Sequence, residues 1–180
     1  MASIFNTLSL GVLALFNSAS VFLGREKTNA ESQLGDGPGY NPQFWTDSLT
    51  TQKNNNCYNY AINRTTNTFA QPGSFYEPFG LLEPYDCKSI TDNARLDGLQ
   101  PLPSAAAPCD GHKVFMGAYA EDFHWWRQDG PNFWTHKPGS EAPMEVDASG
   151  QKIRDPLKAN LGPYKACGFF CVEDEKVVIS

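Results

Sequence analysis

The chain has 180 residues, which is enough to bury a sizeable core and is most simply one domain. Its formal net charge is −6 and its few lysines and arginines are scattered, which argues against binding the phosphates of a nucleic acid. The apolar fraction of 41% and the charged fraction of 19% are those of a globular protein and argue against a disordered one.

The first twenty residues predict a secretory signal. Residues 4–16 are mostly apolar and small residues follow at 18–20, so cleavage after Ser20 fits the pattern. Polar residues interrupt the apolar stretch, which argues against a helix that spans a membrane with about 20 apolar residues. A packed or exposed helix and a membrane anchor are the alternatives. We therefore expect a protein that is secreted or held in the cell envelope, without stable membrane insertion.

Residues 21–50 are interpreted as a polar linker or a wrapping arm, because turn residues cluster at 35–42. The folded domain would then comprise residues 51–180. Three asparagines at 54–56 form a polar turn, and a helix is predicted to begin at Cys57 directly after it. The unpaired N–H groups and the dipole of a helix start favour a thiolate, so Cys57 is a candidate nucleophile. The polar turn also argues that this cysteine is not buried.

An oxyanion formed during catalysis would need hydrogen-bond donors. The backbone N–H of Cys57 is one, and side-chain amides near the helix start are candidates for a second. These candidates are Gln52, Asn55 and Asn56. Ordinary turn hydrogen bonding is the alternative role for the asparagines.

After this helix the sequence predicts a loop, one further helix and then a series of strands. Residues 71–84 are rich in proline and aromatic residues, which predicts an ordered loop, and whether it acts as a lid is open. A short helix is predicted at 89–99, and strands at 113–119, 123–128, 133–136 and 166–172, with tight turns at 129–132 and 148–151. Helices followed by antiparallel strands predict an α+β domain with the helices packed on one side of the sheet.

Five cysteines leave one thiol unpaired if the others form disulfides. If Cys57 is free, the remaining four can pair in three ways. A strand at 166–172 would hold Cys167 and Cys171 about 13 Å apart, so these two are expected to reach Cys87 and Cys109. The alternative is a zinc site that uses the cysteines at 109, 167 and 171 together with His112. Disulfides are the simpler interpretation for an exported protein.

Two histidines, His124 and His136, lie on one predicted hairpin, which would bring them close together. One could act as a base toward Cys57 while the other fixes its tautomer. Packed histidines without a chemical role are the alternative. Several aromatic side chains could wall a substrate cleft or simply pack in the core. They are Tyr58, Trp125, Trp126 and Trp134, together with Phe75, Tyr76 and Phe79.

The order Cys57, His124, His136 resembles the NlpC-type cell-wall peptidases of the papain-like superfamily. In that family a cysteine at a helix N-terminus precedes a sheet that carries a catalytic histidine and a third polar residue. The CHAP-type amidases have a similar order and place aromatic residues just after the cysteine, as Tyr58 and Tyr60 are placed here. The resemblance covers about residues 50–172 and implies a papain-like fold, with the cysteine helix packed on an antiparallel sheet.

The resemblance also implies roles: Cys57 as nucleophile, His124 as base and His136 as the orienting residue, with no metal or organic cofactor. The sequence therefore predicts a secreted cysteine hydrolase, a peptidase or amidase before an acyltransferase, that cleaves an amide bond through a covalent acyl-enzyme. Its substrate would be a peptide or a peptidoglycan-like polymer. The alternative is a non-catalytic secreted binding module on the same fold, which holds a peptide or glycan in its cleft.

Overall fold

The computed structural model describes residues 37–76 and 85–180. The predicted signal at 1–20 lies outside the described residues, as do parts of the predicted arm and of the proline-rich loop. The described helices are a 3-10 helix at Phe44–Thr46, α1 at Leu49–Asn54, α2 at Cys57–Ile62 and α3 at Cys87–Leu96. The strands are β1 at Gln100–Leu102, β2 at His112–Tyr119, β3 at Asp122–Gly130, β4 at Phe133–His136 and β5 at Lys165–Val172. None of the described helices is long and apolar enough to cross a membrane.

The five strands form one antiparallel sheet in the order β1-β5-β2-β3-β4. Side chains alternate between its two faces, as strand geometry requires. Val114, Met116 and Trp125 point to the face covered by α2 and α3, whereas Phe115 and Trp126 point to the opposite face. The predicted α+β class with an antiparallel sheet is therefore confirmed.

Helix α2 is capped at both ends and is held on the sheet by Arg127. Its N-cap, Asn56, accepts hydrogen bonds from the backbone N–H groups of Tyr58 and Asn59, and Asn63 ends it in the left-handed region at φ 59°. The buried guanidinium of Arg127 on β3 donates to the carbonyl of Tyr60 at 2.9 Å and lies 4.0 Å from the centre of that ring. The contacts from Arg127 hold the C-terminal half of α2 over β3.

Arg127 also forms a buried ion pair with Asp129. Its Nε atom lies 2.7 Å from a carboxylate oxygen of Asp129, and both side chains are excluded from solvent. The guanidinium further donates to the carbonyl of Gly39, in the described part of the predicted arm. Trp45 in that arm is buried and packs edge-on against Tyr60 at 5.1 Å. Residues 37–50 are therefore packed against the domain.

Two disulfides tie the helical side and the loops to β5. Cys87 at the start of α3 pairs with Cys167, and Cys109 pairs with Cys171. The expectation that Cys167 and Cys171 bond separately to the two earlier cysteines is confirmed. The zinc alternative is wrong, because the thiolates that it required are consumed in these bonds. Two disulfides fit a secreted protein.

Candidate functional site

Cys57 is the first residue of α2, as predicted, and its thiol is free of disulfide bonding. It is nevertheless buried, with 6% of its surface exposed, and Asn55 and Asn56 before it are buried as well, whereas Asn54 is exposed. The expectation of an accessible cysteine is wrong. Asn55 and Asn56 face the protein, where their side-chain amides are hydrogen-bonded to the loop that follows α2.

Burial raises the pKa of the Cys57 thiol from an ordinary value near 9 to about 12. Backbone N–H groups of Trp125, Tyr58 and Cys57 itself favour the thiolate, but they only partly offset the loss of hydration. A helix of six residues adds a small dipole. The expected pre-activated thiolate is therefore absent, and Cys57 is a neutral thiol near pH 7.

The two predicted histidines do meet. The Nε2 atom of His124 on β3 lies 2.8 Å from Nδ1 of His136 on β4, and Nε2 of His136 lies 2.9 Å from the carbonyl oxygen of Val146. That carbonyl can only accept, so His136 donates from Nε2 and accepts at Nδ1, and His124 donates from Nε2. Burial lowers the pKa of both imidazoles, and His136 lowers that of His124 further, so both are neutral near pH 7.

Cys57 and His124 line the same cleft, whose volume is about 440 Å³. Within the described ranges, the structure shows no hydrogen bond from the Cys57 sulfur to either imidazole. The sequence therefore placed these three side chains in one region, but the thiol and the imidazole pair are not joined.

The candidate oxyanion donors are engaged elsewhere. The Asn55 amide donates to the Thr51 carbonyl and to the Asn67 side chain, and the Asn56 amide donates to the carbonyl of Ala70. Gln52 does not line the cleft, and its carbonyl accepts a hydrogen bond from Lys137. The alternative of ordinary turn hydrogen bonding is correct for the asparagines.

Most of the aromatic residues that were predicted to wall the cleft lie in the hydrophobic core instead. Tyr58 and Trp125 are fully buried between α2 and the sheet, while Trp126 and Trp134 pack on the other face of the sheet. Phe75 and Tyr76 are exposed and contact each other at 5.0 Å between ring centres, and Phe79 lies outside the described residues. The described members of this aromatic set do not line the cleft around Cys57.

Sequence reasoning missed the residues that do shape the mouth of the cleft. Phe69 is 41% exposed there and adopts φ 58°, which is unfavourable for an aromatic residue. Glu121 and Asp122 line it from the β2–β3 turn, and Asp122 accepts a hydrogen bond from the hydroxyl of Tyr164 at 2.6 Å. The acidic turn next to His124 was visible in the sequence, whereas the conformation of Phe69 carries no local pattern.

Lys137 is a further residue that sequence reasoning missed. It is fully buried, and its amine donates to the backbone carbonyls of Gln52, Asn55 and Gly139. Burial lowers its pKa to about 8. Its three donors match three acceptors that would otherwise lack partners, so Lys137 fixes the segment between α1 and α2 that leads into Cys57.

No protein-family model matches the chain, and no solved structure matches it. Over 131 residues it is 35% identical to insoluble matrix shell protein 1 of Ruditapes philippinarum. The alignment covers 69% of this chain and 82% of that relative. The chain belongs to the insoluble matrix shell protein 1 family.

Membership of the insoluble matrix shell protein 1 family overturns the predicted cysteine hydrolase. The relative is named as an insoluble protein of a shell matrix, which is a structural and not a catalytic description. The buried, protonated thiol agrees with this correction, because a nucleophile must be accessible and able to ionise. The order of cysteine and histidines along the chain was therefore misleading about chemistry.

Proposed function

We propose that this member of the insoluble matrix shell protein 1 family is a secreted, non-catalytic structural protein of an extracellular matrix. The observation that carries the proposal is the 35% identity to a shell matrix protein over most of that relative. The two disulfides support it, because they persist in an oxidising extracellular environment. The N-terminal stretch at 1–20 would serve as the secretion signal.

We further propose that the scaffold is papain-like. A helix that begins at Cys57 and packs on β3 of an antiparallel sheet, followed along the chain by His124 and His136 on adjacent strands, supports this assignment. On this scaffold the three residues stabilise the domain. The thiol fills space beneath the cleft, and the hydrogen bonds from His124 to His136 to Val146 connect β3 to β4 and to the loop beyond.

The cleft then serves as a binding surface. The cleft has an exposed aromatic residue, Phe69, and carboxylates in its lining, and neither feature depends on an ionised cysteine. A concave surface with one exposed aromatic side chain and a few polar groups is typical of a recognition site. These features of the cleft support the alternative prediction from the sequence, a non-catalytic binding module.

Fractionation of the producing tissue tests the proposal. Antibodies against the folded protein should detect it in the extracellular matrix, in the residue that remains after extraction with detergent in low-salt buffer. Labelled recombinant protein added back to that residue should bind equally well as wild type and as Cys57→Ala, because the thiol has no chemical role. Detection only inside cells, or loss of binding in Cys57→Ala with the fold intact, would overturn the proposal.

A further inference from the structure

The cleft beside Cys57 lies next to a second cavity. The second cavity has a volume of about 180 Å³, and His124, Pro138 and Tyr164 line both. The two cavities are therefore neighbours, divided by the side chains that line both. Their linings differ in chemistry, which defines what a bound chain must present.

The first cavity is acidic at its mouth. Glu121 has no ion pair or hydrogen bond among the described residues, and Asp122 accepts only from Tyr164 and from the N–H of Phe123. The nearby His124 is neutral, so it does not offset these two carboxylates. This end of the cleft is complementary to a positively charged side chain.

The second cavity is mainly apolar: aliphatic side chains such as Met144, Val146 and Leu161 line it together with aromatic rings, and Asp147 and Asn160 are its polar residues. Its volume exceeds the roughly 150 Å³ in which an apolar cavity can hold a benzene ring, so the four carbons of a leucine side chain fit. The two cavities together therefore match an aliphatic side chain that has a cation close to it in sequence.

The chain itself presents such a segment at residues 154–158, which we call the knob. Leu157 is 60% exposed, and it lies between Arg154 and Lys158. Arg154 has no ion pair among the described residues, and the Lys158 amine lies 3.4 Å from Asp155 at an exposed position. Two cations against one carboxylate leave the knob with a net positive charge.

The knob has a fixed shape. The carboxylate of Asp155 accepts from the backbone N–H of Leu157 at 3.0 Å, and its carbonyl accepts from the N–H groups of Lys158 and Ala159. A preorganised turn loses little conformational freedom when it docks, which favours binding. The knob borders a groove lined by Trp134 and Phe169, and this groove shares no lining residue with either cavity of the cleft.

We propose that the knob of one copy docks in the cleft of the next. Leu157 enters the second cavity. Arg154 and Lys158 approach Glu121 and Asp122 at the first cavity. Because two different surfaces meet, the contact is heterologous and generates an open-ended chain of copies unless the rotation closes it. The inference rests on the proposed structural function, to which it adds a second copy of this chain as the partner and a physical route to insolubility.

Sedimentation velocity of the purified protein tests this assembly. Wild type should form species that grow with concentration and dissociate in about 1 M salt, where the screening length falls to about 3 Å. Glu121→Arg and Leu157→Asp should each remain monomeric. Their matched controls, Glu175→Arg and Leu49→Asp, also change exposed side chains but lie outside the knob and the cleft, so they should assemble as wild type does.

A mixture of the two monomeric variants gives the decisive result. Glu121→Arg keeps an intact knob and Leu157→Asp keeps an intact cleft, so an equimolar mixture should form a one-to-one dimer and nothing larger. A monomeric wild type, assembly that survives either variant, or longer species in the mixture would overturn the inference. Failure of the proposed function is seen separately, because Cys57→Ala would then lose matrix binding while its self-assembly stays unchanged.

A labelled peptide with the sequence of residues 153–159 measures the same contact without polymerisation. Its fluorescence anisotropy should report binding to Leu157→Asp, whose cleft is intact. Affinity should fall at least tenfold for the double variant that also carries Glu121→Arg, because a cation would then face a cation. Equal affinity for both proteins would overturn the docking of the knob at these carboxylates.

Discussion

Alkylation of Cys57 by iodoacetamide should be slow in the native protein across neutral pH. The reactive species is the thiolate, and burial raises the pKa of this thiol to about 12. At pH 8 a thiol with that pKa is ionised in about one molecule in 10⁴, against about one in ten for a pKa near 9. Native Cys57 should therefore react about a thousandfold more slowly than the cysteine of a short peptide, and burial of the sulfur slows it further.

The assay follows the mass of the intact protein with time at several pH values, with a cysteine peptide in the same tube as an internal reference. The protein unfolded in guanidinium chloride with its disulfides intact should take up one equivalent at the rate of the peptide. The Cys57→Ala variant should take up none under either condition. These two controls show that the label reports the one free thiol.

The result that would refute this reasoning is fast native labelling with a plateau below pH 7. Such a profile would mean that the thiolate is stabilised in the native cleft, which His124 could do only by becoming protonated and approaching the sulfur. Burial would then have been outweighed by an ion pair. A rate that rises steadily up to pH 9 supports the neutral thiol.

Three further outcomes follow from buried charges and from the disulfides. Arg127→Met should lower the free energy of unfolding in urea by about 3–5 kcal/mol, because it leaves a buried carboxylate unpaired, whereas Lys88→Met removes an exposed pair and should leave it unchanged. Acidification below pH 6.5 should destabilise the fold, because burial lowers the pKa of His124 and only the unfolded chain gains that proton; His124→Gln should show a shallower dependence in the same titration. Replacing Cys87 and Cys167 by serine should lower the free energy of unfolding by about 4 kcal/mol, since their bond closes a loop of 80 residues. The loss should appear as a lower melting temperature.

Each of these has a clear contrary result. A loss below about 1 kcal/mol for Arg127→Met would show that water reaches the ion pair. Equal pH dependence in wild type and His124→Gln would assign the acid effect to other groups. An unchanged melting temperature without the Cys87–Cys167 bond would show that the packing of α3 alone fixes that end of the chain.

The sheet could be predicted from the sequence because its determinants are local. Alternation of side chains and the turn residues after β3 define β2, β3 and β4 within one or two residues. The strand β1 at Gln100–Leu102 was missed, because three residues that include Pro101 show no strand pattern. Proline is tolerated there because β1 is an edge strand and one side of it makes no ladder hydrogen bonds.

Helix α1 was missed for a related reason. Six residues of which only Leu49 is apolar cannot show helical periodicity, and so short a helix is marginal on its own. It exists because the side chain of Ser48 caps its start and because Lys137, from a distant part of the chain, binds the carbonyl of Gln52. Neither the 85-residue separation of that contact nor its geometry can be inferred from the local sequence.

The candidate site also has one feature that the local sequence predicts and one that it does not. The contact between His124 and His136 follows from the register of one hairpin, so it could be predicted. The burial of Cys57 could not, because it depends on a loop that returns over the start of α2. Asn55 accepts from the backbone N–H groups of Thr66 and Asn67, and Asn56 donates to the carbonyl of Ala70. These bonds turn the polar asparagines inward, and the cysteine is buried with them.

The distinction between fold and chemistry decides how this chain should be understood. A cysteine at a helix start and two histidines on a sheet describe where atoms lie, and a scaffold can keep that arrangement after its chemistry is lost. Reactivity depends instead on hydration, which sets whether the thiol and the imidazole are charged. Here all three groups are neutral near pH 7, while the carboxylates at the mouth of the cleft stay in contact with solvent. The proposed structural role therefore depends on the surface of the cleft and not on the three neutral groups.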